Sequence, residues 1–201
     1  MQTVKENSMT AWIKMIEDKD ATGVVKDMYD KARSPHGTVD NVMRCQSLRP
    51  HTIAGHMSIY KSVLHNPDNT LPFWFLEIVA SYTSIVNECK YSLTHHFMNA
   101  RRLINDKQKS DDIYAALKDH APERCFKGKQ LALLNYAKKL TASVAKMAQE
   151  DMVPLRSAGC SDGEILEVNQ VVAYFNYSNR VLNGLGVTTE GDVIGYYSED
   201  D

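Results

Sequence analysis

Apolar residues recur along this chain with helical spacing, and no segment shows the strict alternation of a half-buried strand. From Asp20 onward, Val24, Val25, Met28, Tyr29 and Ala32 share one face, and Ser34-Pro35-His36-Gly37 supplies the turn that stops that helix. A second segment covers 39–48. Pro50 opens a helix over 50–65, a place where its missing N–H costs nothing, with Ile53, Met57, Tyr60 and Leu64 along one side. Pro72 opens the next, through Phe73, Leu76, Ile78 and Val79. Residues 103–128 are mixed and charged, with a short helical pattern at 113–117. Leu133, Leu134, Ala137, Leu140, Val144 and Met147 mark an amphipathic helix over 130–147, and 154–159 reads as a break. Ser161, with Glu164 three residues on, reads as a capping box that starts a helix running to Gly184 and Gly186. The pattern predicts an all-α, single-domain helical bundle of seven or eight helices over residues 11–190, with 1–10 and 191–201 as flexible termini.

Composition narrows the function without naming one. The 201 residues are 43% hydrophobic and 24% charged, with a formal net charge of −2, an ordinary globular balance. No basic patch suggests nucleic acid, no apolar run is long enough to span a membrane, and the first ten residues hold no signal-like apolar core. A cytoplasmic protein is the expectation. Cys45, Cys89, Cys125 and Cys160 form no CxxC pair, and in a reducing compartment they are free thiols rather than bridges.

Chemistry concentrates between residues 77 and 96, EIVASYTSIVNECKYSLTHH, which carries Glu77, Cys89, Ser92, His95 and His96. In one straight helix Glu77 would lie about 120° around and ~18 Å along the axis from Cys89, too far to cooperate. A break between Ser84 and Glu88 removes that obstacle. Asn87 is a good N-cap, so a new helix starting at Glu88 or Cys89 would put the Cys89 thiol in its first turn, where free amides favour a thiolate. Ser92 and His96 follow on the same face, and Glu77 can fold back toward them. Adjacent His95 and His96 point about 100° apart and do not chelate one ion well. Tyr91 and Phe97 read as core aromatics. The bland alternative for Cys89 is a buried small hydrophobe.

These residues resemble the carboxymuconolactone decarboxylase superfamily, and within it the alkylhydroperoxidase D-like, peroxidase-related branch. That family carries a Glu, then CxxC twelve residues later, with a His seven after the first Cys; Glu77, Cys89 and His96 keep that spacing. Trp12-Ile13 with Ala21-Thr22-Gly23, the segment VDNVMRCQSLRP at 39–50 and the helix at 161–187 resemble its opening, middle and closing segments, so the likeness covers residues 11–187. It implies an all-helical fold built on a two-helix active-site hairpin, assembly as a homotrimer or homohexamer, and antioxidant thiol chemistry. A Glu–His proton relay would serve the thiols, a peroxide would be reduced, and a thiol or lipoyl-type dithiol would restore the enzyme, with no haem, flavin or metal needed.

The sequence departs from that family at one place: Ser92 stands where the second Cys belongs, giving CxxS. In the alkylhydroperoxidase members that second thiol meets the peroxide and the first resolves it. Tyr91 fits the intervening position, often His or Tyr. Three readings follow. One is a one-Cys thiol enzyme in which Cys89 becomes a sulfenic acid resolved by an external thiol or by another cysteine of the chain. The second is a non-redox acid–base enzyme using Glu77 and His96, as in the superfamily's lactone decarboxylases. The third is a pseudoenzyme with a binding or assembly role.

Overall fold

The longest unbroken buried run in the chain, residues 75–85, forms the axis of the molecule in the computed structural model, which describes residues 10–197. Among the described residues there are nine α-helices and no strand: α1 (Gly23–Ala32), α2 (Asn41–Arg44), α3 (His51–Leu64), α4 (Phe73–Val86), α5 (Lys90–Ile104), α6 (Lys107–Lys118), α7 (Gly128–Ala142), α8 (Met152–Ser157) and α9 (Asp162–Leu185). The all-α expectation holds. Helix α4 is apolar nearly all round, as a helix enclosed by others must be. It packs on α5, α7 and α9, and its Phe75, Leu76, Ile78, Val79 and Tyr82 join Leu133, Leu134, Val168, Val172 and Phe175 in the main core.

The α4–α5 hairpin turns where the sequence breaks, by a different device from the one expected. Asn87 does not cap α5; it ends α4. Glu88 follows in the left-handed region (φ +53°), its N–H donates to Ile85 O at 3.0 Å, and the Cys89 N–H donates to Ser84 O at 2.8 Å. That is the Schellman closure of a helix, with a glutamate where glycine is usual. Cys89 itself then becomes the N-cap of α5.

Other boundaries moved for local reasons. The helix expected over 130–147 stops at Ala142; the chain then makes two 3₁₀ turns that bring Asp151 to Lys139 at 2.5 Å and to the Ala148 N–H at 2.8 Å. Pro154, read as a breaker, sits in the first turn of α8, where proline is tolerated. The short pattern at 113–117 is the inner face of a longer α6, started by the Asp106 side chain on the Lys109 N–H. The capping box of α9 is present: Glu164 N–H donates to Ser161 Oγ at 3.2 Å and Ser161 N–H to Glu164 Oε2 at 2.7 Å.

Both ends of the described chain are tied down. Trp12 N–H donates to Leu185 O, and Thr188 N–H to Thr10 O. Gly186 ends α9 at φ +59°, and a Cβ there would stand 2.2 Å from the Trp12 ring. Gly186→Ala combines a left-handed strain with that overlap and should cost about 2 kcal/mol or more, read as a lowered urea midpoint. Residues 191–197, expected as part of a flexible terminus, cross back over the bundle and bond to α2 and α5; 1–9 and 198–201 lie outside the described residues.

Candidate active site

Glu77 lies in the middle of α4 and is 1% exposed. A carboxylate in such a place is tolerable only if its oxygens are occupied. Helix α5 occupies both. His96 Nδ1 is 2.7 Å from Oε2, and Asn99 Nδ2 donates to Oε1 at 3.1 Å. The α4–α5 hairpin thus brings together residues 19 and 22 positions apart. With a carboxylate on Nδ1, the Nδ1 nitrogen of neutral His96 carries the proton and Nε2 keeps its lone pair. The edge of Phe175 holds the His96 ring at 4.5 Å and 86°.

His96 borders a cavity of about 100 Å³ between α3, α5, α9 and the segment before α2. Ser92 borders it too, one turn before His96 on the same face. The Ser92 hydroxyl is 2.9 Å from Ser84 Oγ, which is also 2.8 Å from Ala80 O and accepts from Asn179 Nδ2 at 3.3 Å. Ser84 has one proton for two acceptors, so when it serves Ala80, Ser92 must donate to it. Ser92 is therefore held in a buried hydroxyl network.

Cys89, expected in the first turn of α5 with Ser92 and His96 three and seven residues on, is the N-cap of that helix and does not border the His96 cavity. As N-cap it starts α5 one turn before Ser92, is 1% exposed, and packs with Ala11, Cys45, Tyr91, Leu182 and Val187. Its side of the turn opens on a second cavity, of about 300 Å³, with Lys90, Lys118 and His120, not on the one that His96 borders. The N-terminal placement expected for Cys89 is present, with two opposed influences on its thiol. Burial raises the Cys89 pKa, and the Ser92 and Tyr91 amides only partly offset this, without either making a full capping hydrogen bond. Of the other cysteines, Cys45 shares the Cys89 cluster, Cys160 belongs to the main core, and Cys125 is exposed.

Tyr91 borders the His96 cavity, but its hydroxyl is engaged: it donates to Asp192 Oδ2 at 2.5 Å and accepts the Val42 N–H at 3.1 Å. Its ring stacks on His95 at 4.8 Å. Tyr91 is an anchor for the C-terminal segment rather than a free acid.

The sequence reading missed Asn99, His56, Tyr60 and Tyr174. Asn99 had a signal, since 92, 96 and 99 fall on one helical face. The others had none, because they come from α3 and α9 and meet α5 only in the fold. Tyr174 OH lies 2.8 Å from His56 Nε2, and Gln46 Nε2 lies 3.2 Å from His56 Nδ1.

Two titrations here oppose each other. Burial pulls His56 down to about 4 and pushes Asp40 up to about 6. The unfolded histidine gains its proton near 6.5, so His56 makes stability rise with pH from about 4 to about 6.5. The unfolded aspartate loses its proton near 3.9, so Asp40 makes stability fall between about 4 and about 6. The native protein should show little slope there. Asp40→Asn should uncover the His56 slope, a gain of about 3 kcal/mol from pH 4 to 6.5 in urea titrations; an unchanged profile would contradict both assignments.

No protein-family model and no curated protein matches the chain. Solved structures do. An uncharacterized peroxidase-related protein from Ralstonia eutropha, an alkylhydroperoxidase AhpD core, is 19% identical with a TM-score of 0.78, over 92% of this chain and 94% of that one. A peroxidase-related protein from Silicibacter is 21% identical with a TM-score of 0.74, over 95% and 97%. The debrominase Bmp8 is 16% identical with a TM-score of 0.68, over 92% and 94%. The chain therefore has the alkylhydroperoxidase D-like fold, which is the fold its sequence resemblance implied. No described helix is long and apolar enough to cross a membrane.

Proposed function

We propose that this chain is an acid–base enzyme for small, flat molecules, with the Glu77–His96 pair taking a proton from the substrate and returning it. The observation that carries this reading is the 2.7 Å contact of His96 Nδ1 with the buried Glu77 carboxylate, which leaves Nε2 as a base at the cavity. Glu77 fixes the tautomer and stabilises the imidazolium that forms. With Ser92 in the place of a second family thiol, no cysteine lines that cavity. The rings of His56, Tyr60, Tyr174 and Tyr196 around the space favour a planar guest. A cysteine-to-alanine variant of the debrominase was solved with 2,3,4-tribromopyrrole, a planar heterocycle, which supports that substrate shape in this fold.

The test is carbon-bound proton exchange. Small lactones, phenols and pyrroles are incubated in heavy water with the native protein, His96→Gln and Cys89→Ser, and followed by proton NMR. Exchange that disappears with His96→Gln and survives Cys89→Ser is the expected result. Exchange that needs Cys89, or none above buffer, would overturn the reading.

A second reading, a thiol-dependent peroxidase of antioxidant type, is favoured by the amides facing Cys89, by Cys45 in the same cluster, and by the peroxidase-related names of the neighbours. Here the Cys89 thiolate would cleave the peroxide O–O bond to give a sulfenic acid and water or an alcohol. A second thiol, from Cys45 or from a lipoyl-type reductant, would then form a disulfide and release water. A peroxide pulse with a sulfenic-acid trap separates the readings: adduct mainly on Cys89 supports this one. On the geometry, alkylation should reach exposed Cys125 well before Cys89. Assembly as a homotrimer or homohexamer, which the family resemblance implies, is tested by the mass of the particle in solution, with exposed Trp12, Val144, Val153 and Leu166 as apolar residues a subunit contact could cover.

A further inference from the structure

The C-terminal segment 188–197 is bound to the catalytic hairpin at more points than a trailing end needs. Asp192 inserts its carboxylate between two helices, α2 and α5: Tyr91 OH donates to Oδ2 at 2.5 Å, the Asn41 N–H donates to Oδ1 at 3.0 Å, and His95 Nε2 lies 3.5 Å from Oδ2. Asn41 Nδ2 holds the same segment by donating to Thr188 O and Glu190 O. Three residues beyond Asp192, the Gly195 N–H donates to His95 Nδ1 at 3.4 Å. The Tyr196 N–H then donates to Asn99 Oδ1 at 2.6 Å. Beyond it the Tyr196 ring packs at a tilt on His65, 4.6 Å between centroids, and the Arg102 guanidinium donates to Tyr197 O.

Asn99 is the link that matters. Its amide has one oxygen and one NH₂ group, and each is assigned by its partner. The Tyr196 N–H can only donate, so it fixes Oδ1; Nδ2 is then turned toward Glu77 Oε1. The Glu77 carboxylate, an acceptor, asks for the same orientation, so the amide is held from both ends; without Tyr196 the buried Oδ1 loses its donor and Asn99 is held from the Glu77 side alone. Gly195 lets the segment come this close: at φ +88°, a Cβ there would be 2.5 Å from Arg102 Nη1 and 3.1 Å from Asn99 Oδ1.

We infer that this segment is a strap that completes the site, with Asp192 as its latch and the Tyr196 N–H, through Asn99, positioning Glu77 and so His96. Gly195 and Tyr196 also form part of the cavity wall, so the strap sets the space for the substrate as well as the orientation of the base. Asn99, Asp192 and Tyr196 are positioning residues; none is assigned a proton-transfer step. The inference rests on the Glu77–His96 reading for its kinetic consequence, but not for its structural one.

Two variants test it without touching Glu77 or His96. Gly195→Ala pushes the strap off Asn99. A chain ended after Val193 keeps every Asp192 contact and removes the Tyr196 N–H. In both, His96-dependent proton exchange should fall about 10- to 100-fold, the scale of a small misplacement at a reacting group, and its pH profile should move. The His96 Nδ1 proton, followed by NMR with no substrate present, should lose its hydrogen-bonded shift or broaden. Loss of heat stability alone, with the pH profile and the His96 resonance unchanged, would overturn the inference, since that is what a merely structural tail would give. Should Gly195→Ala fail to fold, the shortened chain decides. Absence of His96-dependent exchange in the native protein would sink the acid–base reading instead, while the resonance would still report on the strap.

Discussion

Replacing Glu77 with Gln is expected to lower His96-dependent proton transfer by about 10³- to 10⁴-fold, the scale seen when the carboxylate orienting a histidine base becomes an amide. The cause is tautomeric rather than steric. Gln has nearly the shape of Glu, so the core around α4 need not move. Asn99 Nδ2 donates toward the Oε1 position, which keeps the Gln oxygen there. The Gln NH₂ then faces His96 Nδ1, which must turn acceptor, and the histidine proton shifts to Nε2. The nitrogen at the cavity would become a donor and the base would be lost. Substrate binding should change far less than turnover, because the ring remains in place. The NMR signature is independent of any substrate: the histidine side-chain proton moves from Nδ1 to Nε2. Retained exchange with the proton still on Nδ1 would mean that Glu77 does not orient His96 in solution.

Glu77→Leu asks a different question of the same position. It removes the acceptor and leaves the His96 and Asn99 donors facing hydrocarbon. Breaking a buried charged contact from one side costs about 3–5 kcal/mol. The contrast of a folded, inactive Gln variant with an unstable Leu variant separates the chemical role of Glu77 from its structural one.

The fold was largely legible because each helix announces itself locally. The face formed by Val24, Met28 and Ala32, the Ser161–Glu164 box and the prolines at 50 and 72 act within one or two turns of where they stand. The Glu77–His96 pair was legible for a related reason: once the chain must break near residue 87, two amphipathic segments folded back on one another meet at a fixed offset. The surroundings of Cys89 were not. Its place as N-cap follows a left-handed Glu88, a residue with no preference for that region, and the Ala11, Cys45, Leu182 and Val187 around it come from distant parts of the chain. The strap was equally hidden. A segment with Gly191, Gly195 and no periodicity reads as a loose end, and its hold comes from pairs such as Asp192 with Tyr91, 101 positions apart, that no local pattern encodes.

Phe175→Ala should cost about 3–5 kcal/mol of stability, as much as Glu77→Leu, read from urea unfolding. Phe175 is fully buried on the face of α9 that meets α4, its ring 5.0 Å from Tyr174 and 4.5 Å from His96. Truncation removes a ring from a closely packed interior, and the helices on either side cannot close the space fully. A domain of this kind is stable by about 5–15 kcal/mol, so the variant would lose a large share of its margin. The same ring is the wall against which His96 stands, so stability and chemistry are tied at this residue. Phe175→Leu separates them. It keeps most of the volume and should cost less than about 2 kcal/mol, yet it removes the flat edge that holds the imidazole at 86°. The expected result is a well-folded Leu variant in which proton exchange still falls about tenfold or more, because a base held loosely spends less time in line with the proton it must take. If the Leu variant keeps full exchange, Glu77 alone suffices to hold His96, and Phe175 serves the core and nothing more.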